Sequence, residues 1–434
     1  MQDTIEPNAS RRGFLTKSTL MVGGAVAVPN LLSSRAWAAG SDTLKVGLVG
    51  CGGRGSGAAN QALSADPNLV LTAMADAFDE QIQKSLKNLK VKHGEKVQVE
   101  AGKSFTGLDA YQKLIDSGVD VVLLASPPGF RPQHIKAAVA AGKHVFAEKP
   151  MATDGPGVRS VMESTKLAKE KNQALVAGFC WRYDLPRREF YKQILGGAIG
   201  DVRAVYATYL TSPVKPMPAP ETRPAGMGDV EWQLRNWYNF YWLSGDGLVE
   251  QACHSVDKIN WVMGDKPPIK AVASGGRMIP NNEGNIYDHI DVFYEYENGV
   301  RAFMAQRQIS NCYSENSDYI MCANGYASIK GGKLAIKGKD VPEFNYAGPK
   351  IDMYQQEHNE LFASIRAGKP INDGEWMARS TLMALMGRMA AYTGKEVKWE
   401  EALNSQEKIV PDNLDWNMKL PIQPISMPGR TKFI

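Results

Sequence analysis

Gly50-Cys51-Gly52-Gly53-Arg54-Gly55 sets glycines at the first, third and sixth positions of a turn, and Asp76 follows 26 residues after Gly50. That spacing suits recognition of a dinucleotide. The first glycine makes the tight turn, the next admits a pyrophosphate to the backbone, and the last lets a helix pack on its strand with N–H groups facing the anion. Gly53 lies inside the same turn, and Arg54 is placed to touch a phosphate or to stand in solvent. An acid at the tip of the second strand bonds ribose hydroxyls and repels a 2′-phosphate, so NAD is expected rather than NADP. The structural alternative for Asp76 is an N-cap for the helix that follows. Further along, Trp232, Trp237, Tyr238, Tyr241 and Trp242 crowd ahead of Gly245. Aromatic faces stack on sugar rings and equally build cores. The five cysteines include no CxxC pair, so neither a zinc ribbon nor a disulfide framework is indicated and no metal site is expected.

Such a turn works only between a strand and a helix. Residues 44–49 form a short apolar run of buried-strand type, an Ala-rich helical stretch continues to about residue 63, and a second apolar run covers 69–75. The alternation continues with a helix over 108–117, a strand over 119–125, a helix over 132–141 and a strand over 144–147. Repeated β-α-β with near-continuous apolar strands predicts an α/β fold with a doubly wound parallel sheet, assigned to residues 39–165. Ligands on such sheets bind beyond the carboxyl ends of the strands. Strand-like runs follow at 201–210, 269–275, 291–296 and 300–308, with Glu297-Asn298-Gly299 as a hairpin signal. Pro213, Pro216, Pro218, Pro220 and Pro224 mark a long connection, read as a lid or substrate loop or as an inert surface loop.

The 434 residues carry a formal charge of +4, too small and dispersed for a nucleic-acid or membrane-surface partner. Part of that excess lies in residues 1–38, which hold Arg11, Arg12, Lys17 and Arg35. Ser10-Arg11-Arg12-Gly13-Phe14-Leu15, the apolar run at 20–28 and Ala36-Trp37-Ala38 resemble a twin-arginine export signal with its cleavage site. The run is far shorter than the roughly 20 apolar residues of a membrane span. The expectation is an exported, periplasmic protein that uses the twin-arginine machinery and folds around a cofactor before export, with no stable membrane span.

Three later blocks sharpen the reading. Gly142-Lys143-His144-Val145-Phe146-Ala147-Glu148-Lys149-Pro150 lies downstream of Ser126-Pro127-Pro128 and His134. Gly245-Asp246-Gly247 leads to His254 and Asp257, and a late pair of helical segments covers 357–370 and 378–394, ahead of Trp399. From Leu44 to Trp399 the chain resembles the Gfo/Idh/MocA family of nicotinamide-dependent oxidoreductases. The resemblance implies a Rossmann domain followed, over 166–400, by an α/β domain with a large open, mostly antiparallel sheet. One face of that sheet would cover the nicotinamide and the other would mediate homo-oligomerisation, with an extended tail over 401–434.

The resemblance also assigns roles. Ser126, Pro127, His134, Glu148 and Lys149 would join the glycine turn in holding the cofactor. Lys149 would stand between nicotinamide and substrate, and His254 would be the acid/base. Hydride leaves carbon only as the attached O–H loses its proton, and a histidine titrates close to working pH. A helix starting near Val249 would set Glu250 one turn before His254, although the family commonly has Asp there. Asp257 would orient His254, or form a salt bridge. Trp181, Arg182, Tyr183, Trp237 and Tyr238 would line the pocket for a carbohydrate.

Export leaves no free nicotinamide pool, so the implied activity is hydride transfer on a sugar or sugar derivative with tightly bound, recycled NAD. The alternative is a redox-neutral NAD-dependent glycosidase, in which His254, Tyr183 or Glu250 supplies base and acid. A non-catalytic periplasmic sugar-binding protein is a lesser alternative, disfavoured by retention of Lys149 and His254.

Overall fold

Apolar residues alternate between two cores in the first sheet. Val49, Val122, Leu124 and Ala147 enter one buried cluster, while Val46, Leu48, Leu123 and Phe146 enter the other. Both faces are therefore covered, which is why these strands read as continuous apolar runs. The computed structural model describes residues 43–279 and 282–433, so the export-signal reading of residues 1–38 lies outside the described residues. Strands β1 (Leu44–Val49), β2 (Leu69–Asp76), β3 (Ser104–Thr106), β4 (Val121–Leu124), β5 (His144–Ala147) and β6 (Leu175–Ala177) pair in parallel, in the order β3-β2-β1-β4-β5-β6. Helices α1 (Gly53–Ala65), α2 (Asp79–His93), α3 (Ala110–Ile115), α4 (Arg131–Ala140) and α5 (Gly155–Glu170) connect them. The order reverses between β1 and β4, and that switch point opens the crevice where ligands bind. With α5 and β6 included, the first sheet runs past residue 165.

The second sheet holds β7 (Val202–Thr211), β8 (Lys270–Gly276), β9 (His289–Glu295), β10 (Arg301–Gln308), β11 (Asp318–Cys322), β12 (Gly325–Lys330), β13 (Lys333–Gly338) and β14 (Val397–Lys398). Its order is β13-β12-β11-β7-β10-β9-β8-β14; β7 and β10 pair in parallel and the other pairings are antiparallel. Both expected sheets are present. Around them lie α6 (Leu185–Leu195), α7 (Asp229–Arg235), α8 (Tyr241–Ser244), α9 (Gly247–Glu250), α10 (Cys253–Val262), α11 (Met353–Arg366), α12 (Gly374–Thr393) and α13 (Trp399–Asn404). Helix α12 is buried along almost its whole length, packing on α5, α10 and β8, and α11 returns to pack on α1.

Across the other face of the second sheet, Val272, Phe293, Phe303, Tyr206 and Tyr319 stand opposite one another in register on neighbouring strands.

The crowded aromatics and the tail find each other. Trp232, Phe240 and Trp242 are buried in a small core against which Trp416, Leu420 and Ile422 pack. Gln233 Nε2 donates to the Leu420 carbonyl at 2.7 Å, and Tyr287 donates to the Ser426 carbonyl at 2.7 Å. The tail is thus bound to its own chain, and most of the aromatic crowd is core. Among the described residues no helix is long and apolar enough to cross a membrane.

Candidate active site

Sterics force the glycine turn. Gly50 has φ +88, and a Cβ there would lie 2.6 Å from the Ala125 backbone; at Gly55 it would lie 1.8 Å from the Gly50 carbonyl oxygen. At Gly52 and Gly53 a Cβ meets nothing within 4 Å. Two glycines therefore pack the turn, and two leave open space. Gly50, Gly52 and Gly53 line a cleft of 410 Å³ together with Asp76, Ser126 and His134. Asp76 accepts from the Cys51 N–H at 2.6 Å and the Phe78 N–H at 3.0 Å. Burial raises its carboxyl, and these backbone donors oppose the rise. Asp76 thus ties the glycine turn to the end of β2 and makes no side-chain cap on α2. An open glycine-rich floor and an acid on the cleft wall fit a dinucleotide.

Ser126, Pro127 and His134 line the same cleft. His134 Nδ1 is 3.0 Å from Ser126 Oγ, and the ring stacks on Tyr111 at 4.0 Å. Burial, reinforced by Arg131, lowers its pKa to about 3, so the imidazole is neutral. Arg131 escaped the sequence reading. Its buried guanidinium donates to the carbonyls of Ser126 and Pro150 and so ties the turns after β4 and β5 together. Its sequence signal was one arginine at the start of a helix. Arg54 and Glu148 do not line the cleft: they contact each other at 2.6 Å, and Arg54 lies 4.7 Å above the Tyr354 ring. Arg54 is held by an acid and is not part of the cleft wall.

At the end of β5, Lys149 Nζ donates to the Glu250 carbonyl at 2.5 Å and to Glu250 Oε1 at 3.0 Å. A broken helix makes this possible. The expected helix from Val249 is interrupted between α9 and α10, and the His254 N–H bonds the Gln251 carbonyl instead of that of Glu250. The Glu250 carbonyl is thereby released to Lys149. Burial works against the ammonium, but Glu250, with Cys253 and Glu148, outweighs it and Lys149 is held above the usual lysine range. His254 is shifted the other way: burial, then the charges of Lys149 and Lys258, push its pKa well below the ordinary histidine value. Its Nδ1 is enclosed without a hydrogen-bond partner among the described residues. Trp181 flanks the ring at 5.4 Å and Phe179 at 6.1 Å. Tyr209 on β7 also feels the Lys149 charge and donates to Gln251 Oε1 at 2.8 Å. The sequence reading missed it because a tyrosine in a strand carries no signal of its own. The result is a buried, doubly hydrogen-bonded ammonium whose charge reaches a neutral imidazole.

Other expected site residues go elsewhere. Asp257 does not orient His254: it pairs with Arg182 at 2.9 Å and accepts from Ser380 at 2.6 Å. Arg182 also pairs with Asp265 at 2.6 Å and lies between the rings of Trp261 and Trp376. This is a buried network that ties α10 to α12. Tyr183 is 2% exposed, with its hydroxyl bonded to Asp373 at 2.5 Å. That geometry leaves it no proton to exchange at Lys149. Tyr238 is buried and donates to Gln308 at 2.9 Å, while Trp237 lines the glycine-turn cleft rather than the space at Lys149. Side-chain packing between distant segments decided these positions, and local spacing does not encode it.

Comparison with known proteins bears on this geometry. Residues 44–179 match the Gfo/Idh/MocA oxidoreductase family with its NAD-binding Rossmann fold, and residues 188–328 match the GFO/IDH/MocA C-terminal domain. The dTDP-3,4-didehydro-2,6-dideoxy-alpha-D-glucose 3-reductase of Actinomadura kijaniata is 27% identical over 196 residues, 45% of this chain and 51% of its own; the chain thus spans about half of that relative. An inositol 2-dehydrogenase of Rhizobium meliloti is 24% identical over 265 residues, 61% of this chain and 68% of its own. Among solved structures, a levoglucosan dehydrogenase in complex with NADH and levoglucosan superposes with TM-score 0.66 at 19% identity, covering 82% of this chain and 99% of that one. The aldose-aldose oxidoreductase of Caulobacter crescentus gives 0.63 at 19% identity, with 82% and 99% covered. At such identities the structural likeness is one of fold.

Proposed function

The chain belongs to the Gfo/Idh/MocA family of oxidoreductases, and from that premise we propose that it interconverts a secondary hydroxyl and a ketone on a sugar, polyol or sugar derivative, using NAD. The observation that carries this is Lys149, just after β5, hydrogen-bonded twice to Glu250, with the imidazole of His254 on α10 close enough to feel its charge. When bound, the nicotinamide supplies the hydride acceptor or donor. In oxidation the substrate hydroxyl gives its proton to the neutral imidazole of His254 while the Lys149 ammonium, two of its N–H groups spent on Glu250, turns the third towards the oxygen. Charge that develops on that oxygen meets a fixed cation in a water-poor site, where such stabilisation is strongest. Reduction runs the same transfers backwards. Asp76, placed for ribose hydroxyls, favours NAD over NADP. The substrates named for the relatives and structural neighbours, inositol, an aldose and levoglucosan, support the carbohydrate class.

On Ser10–Leu15 and Ala36–Ala38, the same reading takes the enzyme as exported and therefore dependent on a nicotinamide that stays bound. The row Val272, Phe293, Phe303, Tyr206 and Tyr319, in which Val272, Phe293 and Tyr206 are exposed and the other two half-buried, supports a homo-oligomer formed across the open sheet face. Two measurements test the activity. Nucleotide released on denaturing protein from the native host is identified by chromatography, and a panel of aldoses, polyols and aryl glycosides is assayed with and without added NAD. Absorbance at about 340 nm, or a reduced second sugar, supports the oxidoreductase. Aglycone release without net NADH overturns it in favour of the glycosidase, and absence of both nucleotide binding and turnover overturns both.

A further inference from the structure

The cleft that begins at the glycine turn is closed by a part of the chain far from the first sheet. Lys215, Leu234, Arg235 and Trp237 line it opposite Gly52 and Asp76. They belong to residues 212–244, which leave β7, pass the proline-rich connection and return through α7 and α8. The segment is internally braced: Lys215 Nζ donates to the Arg235 carbonyl at 2.5 Å, and Asn239 Nδ2 donates to the Lys215 carbonyl at 3.1 Å.

Its two flanks differ in kind. On the flank nearer Lys149, a Cβ at Gly129 would come within 2.4 Å of the Trp242 carbonyl oxygen, so only glycine allows the observed approach. The Trp242 ring meets Phe130 edge-on at 6.0 Å, and Thr153 donates to the same carbonyl at 3.3 Å. This flank is packed core. On the flank beyond Asp76, Arg235 lies 4.0 Å above the Phe78 ring and 2.6 Å from Glu80 Oε1, and Trp416 of the tail reaches Phe78 at 5.8 Å. The Arg235 and Glu80 side chains are 36% and 56% exposed. The Arg235–Glu80 pair is a solvated contact that separates at small cost, unlike the packed flank, while Phe78 and Trp416 are partly buried against the small core of Trp232, Phe240 and Trp242.

We propose that residues 212–244 are a cap that completes the dinucleotide site, hinged at Trp242 and latched by Arg235 on Phe78 and Glu80, with Trp416 as a second catch. This rests on the dinucleotide reading above. A ligand reaching from Asp76 to Ser126 lies beneath the cap and leaves only when the outer edge lifts. Arg235 and Trp416 are positioning residues: they hold the cap and take no part in the redox step. Retention of cofactor is then built into the fold by a segment and a tail that lie outside the glycine turn.

The test is release of NADH from the full-length protein, followed by loss of its fluorescence after mixing with excess NAD. Arg235→Leu and Trp416→Ala should each speed release about fivefold, and the double variant should exceed either alone. Trp416→Phe, which keeps an aromatic catch, should retain slow release, and melting curves check that each variant is folded. Release within twofold of wild type in folded Arg235→Leu and Trp416→Ala overturns the latch. A wild-type protein that binds no NADH removes the dinucleotide reading itself, so the two failures are distinct.

Discussion

Replacing Glu250 by Gln should turn Lys149 from a permanent cation into a group that titrates. The pair is 3.0 Å apart, and both side chains are under 10% exposed, at 9% and 8%, so solvent screens it little. At an effective dielectric near 20 the attraction is about 5.5 kcal/mol, which amounts to about four powers of ten in the proton affinity of Lys149. Gln keeps the shape and the main-chain carbonyl, so one hydrogen bond to Nζ survives. Burial then favours the neutral amine against the weaker opposition of Glu148 and Cys253. Lys149 should deprotonate at a lower pH in the variant than in the wild type, with stabilisation of the ammonium present below its pKa and lost above it. Acylation of Lys149 by a water-soluble anhydride, quantified by peptide mass spectrometry from about pH 7 to 11, reads this directly and needs no substrate. Taking the ratio between pH values within one variant cancels differences in access. Turnover should show a new alkaline limb over the same range. If the labelling curves of variant and wild type superimpose, Glu250 does not control the charge of Lys149, and the division of labour with His254 fails.

His254→Asn should lower turnover about 10²- to 10³-fold, with melting temperature nearly unchanged. In the wild type the acid limb of kcat/KM should lie well below the ordinary histidine value, because burial and Lys149 oppose protonation, and it should move up in Lys149→Met. Gly55→Ala puts a methyl 1.8 Å from the Gly50 oxygen and should lower stability and dinucleotide binding together. Gly52→Ala meets no protein atom and should melt like wild type while titrating NADH more weakly; equal loss of stability in both would contradict the open floor of the cleft. His358, like His134, is buried and neutral, its pKa lowered to about 3 by burial and by Arg54. The unfolded chain therefore binds the extra proton below about 6.5, and stability is lost as pH falls towards 3 by about 1.4 kcal/mol per pH unit for each histidine. His358→Phe should flatten that loss in urea titrations at pH 7 and 5, and an unchanged slope would refute the assignment.

The parallel sheet, the glycine turn and the acid at the end of β2 were legible because each rests on local pattern. A buried parallel strand is a continuous apolar run, and a turn that packs against its own strand needs glycine wherever a Cβ would strike backbone. Strands β7 to β10 were read to within two residues at each end, and the hairpin at Glu297-Asn298-Gly299 was found. The helix at His254 was legible too, but not its interruption. Its break after Glu250 has no strong local mark, yet it frees the carbonyl that Lys149 uses. Tyr183, Arg182 and Asp257 were credited to the site through the family resemblance, and the structure commits them to Asp373 and to the contacts between α10 and α12.

The residues from 44 to 150 alone determined that this protein builds a dinucleotide crevice and that Lys149 follows its fifth strand, since strand, turn and helix within such a unit contact their own sequence neighbours. Tertiary structure decided what Lys149 meets there, which aromatics become core and what roofs the cleft. Those contacts join residues a hundred or more positions apart, Lys149 with Glu250, Arg235 with Glu80, Trp416 with Phe78. Their free energy exists only after two sheets and a returning tail have been brought together, so no window along the chain contains it.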